Sequence, residues 1–151
     1  MKLEYLMEYT ADVQLPVRNT GPGPFGIRGL ALVTGGTFAG PKLKGTLWTG
    51  GGDWWLRGPD GIMRLDVRAT FETDDGALIY AQYYGVLRPE GDRALAQPGQ
   101  PTEHGDAYFM TTPRFETGDE RYSWLNGLVC VAEGKRTARG LSYRVYAVVN
   151  G

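Results

Sequence analysis

One cysteine and one histidine remove much of the usual catalytic chemistry from this 151-residue chain. A disulfide within the chain needs two thiols, and a Cys/His metal centre needs several ligands, so neither is expected. Cys130 reads as a small apolar strand residue. His104 sits beside Gly105 in a long polar stretch and reads as an exposed loop histidine. Ser-His-Asp or Cys-His machinery could use it only if that stretch folded over a site. Net charge is nearly absent too: 16 basic against 17 acidic residues leave −1. No basic stripe of the kind that follows phosphates is present, and no nucleic-acid partner is expected. No apolar run is long enough for a membrane-spanning helix. Glu4 and Glu8 break up the first residues, which therefore lack the apolar core of an export signal. The expectation is a cytoplasmic protein without a membrane partner. Outer-membrane barrels also alternate apolar and polar residues, but these glycine-dense segments make poor membrane walls. Helical periodicity, fixed-period repeats and low complexity are all missing.

What the chain has is alternation. In Met63-Arg64-Leu65-Asp66-Val67-Arg68-Ala69-Thr70-Phe71, apolar side chains point one way and polar ones the other, the period of a half-buried strand. Eight such runs are separated by Gly/Pro punctuation: about Leu3–Val13, Ile27–Phe38, Leu43–Thr49, Met63–Glu72, Ala77–Leu87, Ala107–Glu116, Tyr122–Ala132 and Gly140–Val149. Pro16–Gly26 reads as loop, Gly35-Gly36 as a bulge or bend, and Glu133-Gly134-Lys135 as a turn. Thr73-Asp74-Asp75-Gly76 is a tight hairpin turn. Arg88–Asp106, with Pro89, Pro98 and Pro101, is a surface excursion and a candidate lid. Aromatics at 12% and 23 glycines suit a β-rich fold with many turns. Residues 1–151 are expected to form one all-β domain: a closed antiparallel β-barrel of about eight strands, mostly up-and-down, with a central cavity. The alternative is a two-sheet β-sandwich.

The candidates for chemistry sit on these runs. Gly50-Gly51-Gly52-Asp53-Trp54-Trp55 is not a phosphate loop, because no Lys-Ser/Thr and no helix follow. It can hold Asp53 at the mouth of a cup, with one tryptophan packed inside and the other at the rim. Asp66 and Arg68 share a strand face. So do Tyr80, Gln82 and Tyr84; Arg114 and Glu116; and Trp124 and Asn126. Turned inward, these residues would gather acids, guanidiniums, phenols and an amide around one cavity. Turned outward, they are solvated pairs of little consequence. Pattern alone leaves both readings open, since a one-residue change of register swaps the faces.

The same residues carry a resemblance. Gly35-Gly36-Thr37-Phe38, Gly40-Pro41, Gly45 and Gly51-Gly52-Asp53-Trp54 form one part of it. Leu65-Asp66-Val67-Arg68, Thr73-Asp74-Asp75-Gly76-Ala77 and Gly85 form a second. Tyr108-Phe109, Pro113, Phe115-Glu116-Thr117, Tyr122 and Trp124-Leu125-Asn126 complete it. Together they resemble the family called domain of unknown function 3237, also known as uncharacterised protein family 0311, along essentially the whole chain. The resemblance implies a single β-barrel with a cavity and assigns no activity. It points to Asp53, Trp54, Asp66, Arg68, Glu116, Trp124 and Asn126 as cavity residues and so favours the inward reading. Leu65, Val67 and Phe71 would then face outward, an apolar strip that calls for a homo-oligomer, most simply a two-fold dimer.

Three functions are compatible with this reading. One is a cofactor-independent isomerase, cyclase or lyase for a small aromatic or carboxylated metabolite. Asp53, Asp66 or Glu116 would then move the proton, and Arg68 or Arg114 would hold an anion. Trp54 and Trp124 would stack on a ring, while Tyr80, Tyr84 and Tyr122 completed the pocket. The others are a binding module for such a ligand and a structural or interaction protein. No metal, nicotinamide, flavin or pyridoxal motif is visible, and no cofactor is expected.

Overall fold

The computed structural model describes residues 1–88 and 100–151. Its strands in chain order are β1 (Lys2–Val13), β2 (Arg18–Gly23), β3 (Gly26–Gly35), β4 (Thr37–Ala39), β5 (Lys44–Leu47), β6 (Gly52–Asp53) and β7 (Leu56–Arg57). They continue as β8 (Met63–Thr73), β9 (Leu78–Arg88), β10 (Tyr108–Thr111), β11 (Arg114–Glu116), β12 (Cys130–Arg136) and β13 (Gly140–Val149). Eight of them, β1, β4, β5, β8, β9, β10, β12 and β13, pair side by side into a closed ring. Their order round the ring is their order in the chain, and every pairing is antiparallel. The protein is thus an up-and-down barrel, and closure removes the exposed edges an open sheet would carry.

Between β1 and β8 the wall is built in two tiers. At one level it runs through β4 and β5; at the other it runs through β3 and β6. Gly35 and Gly36, at φ of 155° and 144°, make the break that separates the tiers. A side chain at Gly36 would strike the Thr10 carbonyl, so glycine is required there.

The interior is apolar and aromatic. Leu65, Val67, Ala69 and Phe71 of β8 are buried together with Ile79, Ala81 and Tyr83 of β9, Tyr143 and Val145 of β13, and Met7 and Tyr9 of β1. Phe71 touches the rings of Tyr9 and Phe38 at centroid distances of 5.1 Å and 5.1 Å, and Phe115 at 5.9 Å. This corrects the expected orientation. The ionic row of β8 is on the outside: the Asp66 and Arg68 side chains keep 37% and 45% of their accessible surface. Placing the apolar row inside gains about 1.5–3 kcal/mol per large side chain, whereas burying an ion pair costs several kcal/mol per charge. The apolar strip invoked for a dimer is core, and the dimer expectation loses its premise.

Three further readings change. Arg18–Gly23, expected as loop, is a strand paired with β3. Glu133-Gly134-Lys135 lies within β12, and the turn falls after it. Glu120–Gly127 is a 3₁₀ helix, where a strand was expected to start at Tyr122; its cap is Asp119, whose carboxylate accepts from the Arg121 N–H at 3.0 Å. Tyr122, Leu125 and Leu128 pack on the core at a spacing of three, the 3₁₀ repeat, and this helix covers one end of the barrel. Of the Arg88–Asp106 excursion, residues 89–99 lie outside the described residues. Among the described residues, no helix is long and apolar enough to cross a membrane.

Candidate functional site

Asp53 is the carboxylate that the fold takes inside. It pairs with Ala31 of β3 on one side and Val67 of β8 on the other, and Val67 pairs in turn with Tyr83 of β9. Side chains opposite one another across strands share a face. Asp53, Val67 and Tyr83 therefore form one inward row, with Asp53 only 7% exposed. Burial pushes the Asp53 carboxyl up to about 7, and the nearby Asp66 charge adds to that rise. The Asp66 backbone N–H donates to Asp53 Oδ1 at 3.0 Å and partly opposes it.

Tyr83 and Tyr143 lie near this position, and Tyr9 packs on both. Tyr9 and Tyr143 stack at 4.9 Å between centroids, and Tyr83 meets Tyr143 edge-on at 5.5 Å. The Tyr9 and Tyr143 hydroxyls are buried, and the Tyr83 phenol is the hydrogen-bonding group that acts on both. Burial raises all three phenols, and the Asp53 charge lifts Tyr83 and Tyr143 further. Three buried phenols and a raised carboxyl are uncommon in a core, where an unsatisfied polar group costs about 1–3 kcal/mol. They are groups that a bound oxygen would satisfy.

One row nearer the other barrel end, Trp55 is buried. Its ring lies over Gly29, where a Cβ would strike the indole and come within 2.8 Å of the Arg18 carbonyl oxygen. Gly29→Ala is expected to cost about 1–3 kcal/mol through this overlap. Urea unfolding and a shifted tryptophan emission would register it; an unchanged midpoint would place Trp55 elsewhere. The pairing 53–67 and 56–64 keeps one register, so Trp54 lies on the outer face beside Asp66. One tryptophan inside and one outside is the arrangement the sequence suggests.

Most other sequence candidates meet on the outer wall. Asp66 lies opposite Tyr84, Arg68 opposite Gln82, and Gln82 opposite Arg114; Tyr80 lies between Thr70 and Glu116. Arg68 contacts Asp66 at 3.1 Å, Arg114 contacts Glu116 at 3.6 Å, and Tyr80 donates to Gln82 at 3.2 Å. Tyr80, Glu116 and Asn126 border an open depression of about 670 Å³. The Asn126 amide is used structurally: its Oδ1 accepts from the Thr117 N–H at 2.8 Å, and its Nδ2 donates to the Thr117 carbonyl at 3.0 Å. Tyr122 donates to Asp75 at 2.9 Å, and Trp124 packs on the core beneath Lys42. The structure thus collects Trp54, Asp66, Arg68, Tyr80, Tyr84, Arg114 and Glu116 into a solvated band on the outer wall, while the Asp53 side chain is inside. Tyr9, Tyr83 and Tyr143 were not singled out as functional residues. Their one signal is a phenol in an otherwise apolar alternating row, as in Leu141, Tyr143, Val145. Among the described residues no cluster of three His, Cys, Asp or Glu could hold a metal.

The model for a protein family of unknown function, DUF3237, matches residues 1–148. The chain belongs to this family. A UPF0311 protein of Rhodopseudomonas palustris is 29% identical over 150 residues, covering 99% of this chain and 97% of its own. The crystal structure of that organism's conserved protein of unknown function superposes with a TM-score of 0.90 at 30% identity, covering 99% of both chains. A β-barrel-like protein from Acinetobacter baumannii superposes at 0.84 with 37% identity, covering 97% of this chain and 94% of its own. A further relative bears an activity in its name: the hydroalkoxylation enzyme phnH of Penicillium herquei, 31% identical over 102 residues, 68% of this chain and 54% of its own.

Proposed function

We propose that this chain is a cofactor-independent proton-transfer enzyme of the isomerase, cyclase or lyase class, acting on a small aromatic or carboxylated metabolite inside the barrel. The observation that carries the reading is Asp53, enclosed by the barrel wall with its carboxyl raised to about 7. A general acid or base works best when it titrates near the working pH. Asp53 is then available in both forms at neutrality. The buried Tyr83 and Tyr143 phenols, which feel the Asp53 charge, can donate to an oxygen that gains negative charge as the proton moves. The phnH relative supports this class. Hydroalkoxylation adds an O–H across a C=C bond, takes a proton from oxygen and delivers one to carbon, with no net oxidation or reduction.

Aspartate-selective ¹³C labelling and a carboxyl NMR titration test the reading. One resonance should titrate near pH 7 and vanish in Asp53→Asn. An Asp53 carboxyl that titrates near pH 4 removes the acid–base role. The second reading is a binding module without chemistry. Native mass spectrometry of protein from its host separates the two. A reaction product or substrate–product mixture supports catalysis, and one unaltered ligand supports carriage.

A further inference from the structure

The barrel end opposite the 3₁₀ helix carries two arginines that the proposed function leaves unused. Arg57 follows Asp53 and Trp55 on the inward parity of its segment and pairs with Met63 of β8. Arg136 follows Cys130, Ala132 and Gly134, the buried positions of β12, and pairs with Leu141 of β13. Both therefore belong to the inner rows where those rows reach the barrel mouth. Arg136 Nη1 is buried and has no hydrogen-bond partner among the described residues. Burial lowers the Arg136 guanidinium, and the nearby Arg57 charge lowers it further. Two like charges turned toward one opening, one of them partly desolvated, are unfavourable until an anion joins them.

The surroundings fit that demand. Arg136, Phe109 and Leu87 line an enclosed pocket of about 20 Å³ together with Thr102, Glu103 and Asp106. That is room for about one water-sized group, the size of one carboxylate oxygen. The acids on its rim are already engaged. Glu103 binds Lys135 at 3.2 Å, and Asp106 Oδ2 accepts from the Glu103 N–H at 2.9 Å. The segment is tied to β12 by the Thr102 N–H donating to the Arg136 carbonyl at 3.1 Å and the Arg136 N–H donating to Thr102 Oγ1 at 3.0 Å. Arg57 lies four residues along the wall from Asp53, roughly 13 Å at about 3.3 Å per residue. The buried Trp55 lies between them on the same row.

We propose that Arg57 and Arg136 form an anion subsite at the barrel mouth that takes the carboxylate of an aromatic acid. The proposal rests on the barrel interior being the ligand site. Side-chain ¹⁵N–¹H spectra of the guanidinium groups test it, with benzoate and 4-hydroxyphenylacetate as probes and their amides as neutral controls. Arg57 and Arg136 resonances should move with the acids and stay still with the amides. Arg57→Met and Arg136→Met should each weaken acid binding about tenfold or more, with Arg57→Lys retaining part of it. Equal shifts with acid and amide, no shift with either, or full acid binding in both Met variants would overturn it. Circular dichroism identifies a variant that fails to fold, and the exposed Arg57 supplies the alternative if Arg136→Met does so. The Asp53 titration is independent. Titration near pH 7 without acid preference removes only this inference, while acid preference with titration near pH 4 removes only the acid–base role.

Discussion

Phe71→Ala is expected to remove about 3–5 kcal/mol of unfolding free energy, the largest stability loss of any single truncation considered for this barrel. The side chain is completely buried, 0% exposed, and its ring is gripped by Tyr9, Phe38 and Phe115. A closed wall cannot slump inward as an open sheet can, so much of the cavity survives and its lining loses contacts outright. Urea unfolding at constant m-value measures the effect. The control lies three residues away on the same strand: Arg68→Ala, on the outer face, should stay within about 0.5 kcal/mol. Similar losses at both positions would mean that β8 does not separate a core row from a solvent row.

The second large effect is at Asp53, and its sign depends on pH. The carboxyl sits at about 7 in the folded chain against about 3.9 when unfolded. Between those values the folded protein holds a proton that the unfolded chain has released, so stability falls as pH rises through that window and is fully spared below it. Three pH units at about 1.4 kcal/mol each make a penalty of roughly 4 kcal/mol at pH 8. Asp53→Asn removes it and can still accept the Asp66 N–H. The variant should therefore be more stable than the parent by about 2–4 kcal/mol at pH 8 and by less than about 1 kcal/mol at pH 4. Turnover should fall by about a hundredfold or more, because an amide cannot shuttle a proton at neutral pH. A variant that loses stability at pH 8 would show that the Asp53 carboxylate is well solvated and unsuited to the role. A group that weakens the fold at working pH and speeds a reaction is what a stability–activity trade-off looks like at one residue.

Much of this architecture can be read before any coordinates. Period-two alternation places β1, β8, β9 and β13 to within a residue or two, and Gly35-Gly36 marks the break that divides the wall. Alternation is blind to which side is inside, and that is where the reading went astray. The inward assignment of Asp66 and Arg68 leaned on a family likeness, while the apolar row Leu65, Val67, Ala69, Phe71 was the better core by simple transfer energy. The seventh run misled for a related reason. Tyr122, Trp124 and Asn126 mimic a strand at spacing two, yet Tyr122, Leu125 and Leu128 also satisfy spacing three, and the Asp119 cap decided between them. Asp53 was legible because glycines precede it and tryptophans follow. Its tyrosine neighbours were not, since they come from β1, β9 and β13, far apart in the chain and joined only by curvature.

That curvature has a kinetic side. Lys2 lies opposite Val149 along the β1–β13 seam. This seam therefore joins strands from the first and last parts of the barrel, a strongly non-local contact. Loop-closure entropy opposes it until the intervening hairpins have assembled. Closing this seam is then expected to be the slow step of folding, and a barrel left open would have an ordinary, water-exposed aspartate at Asp53.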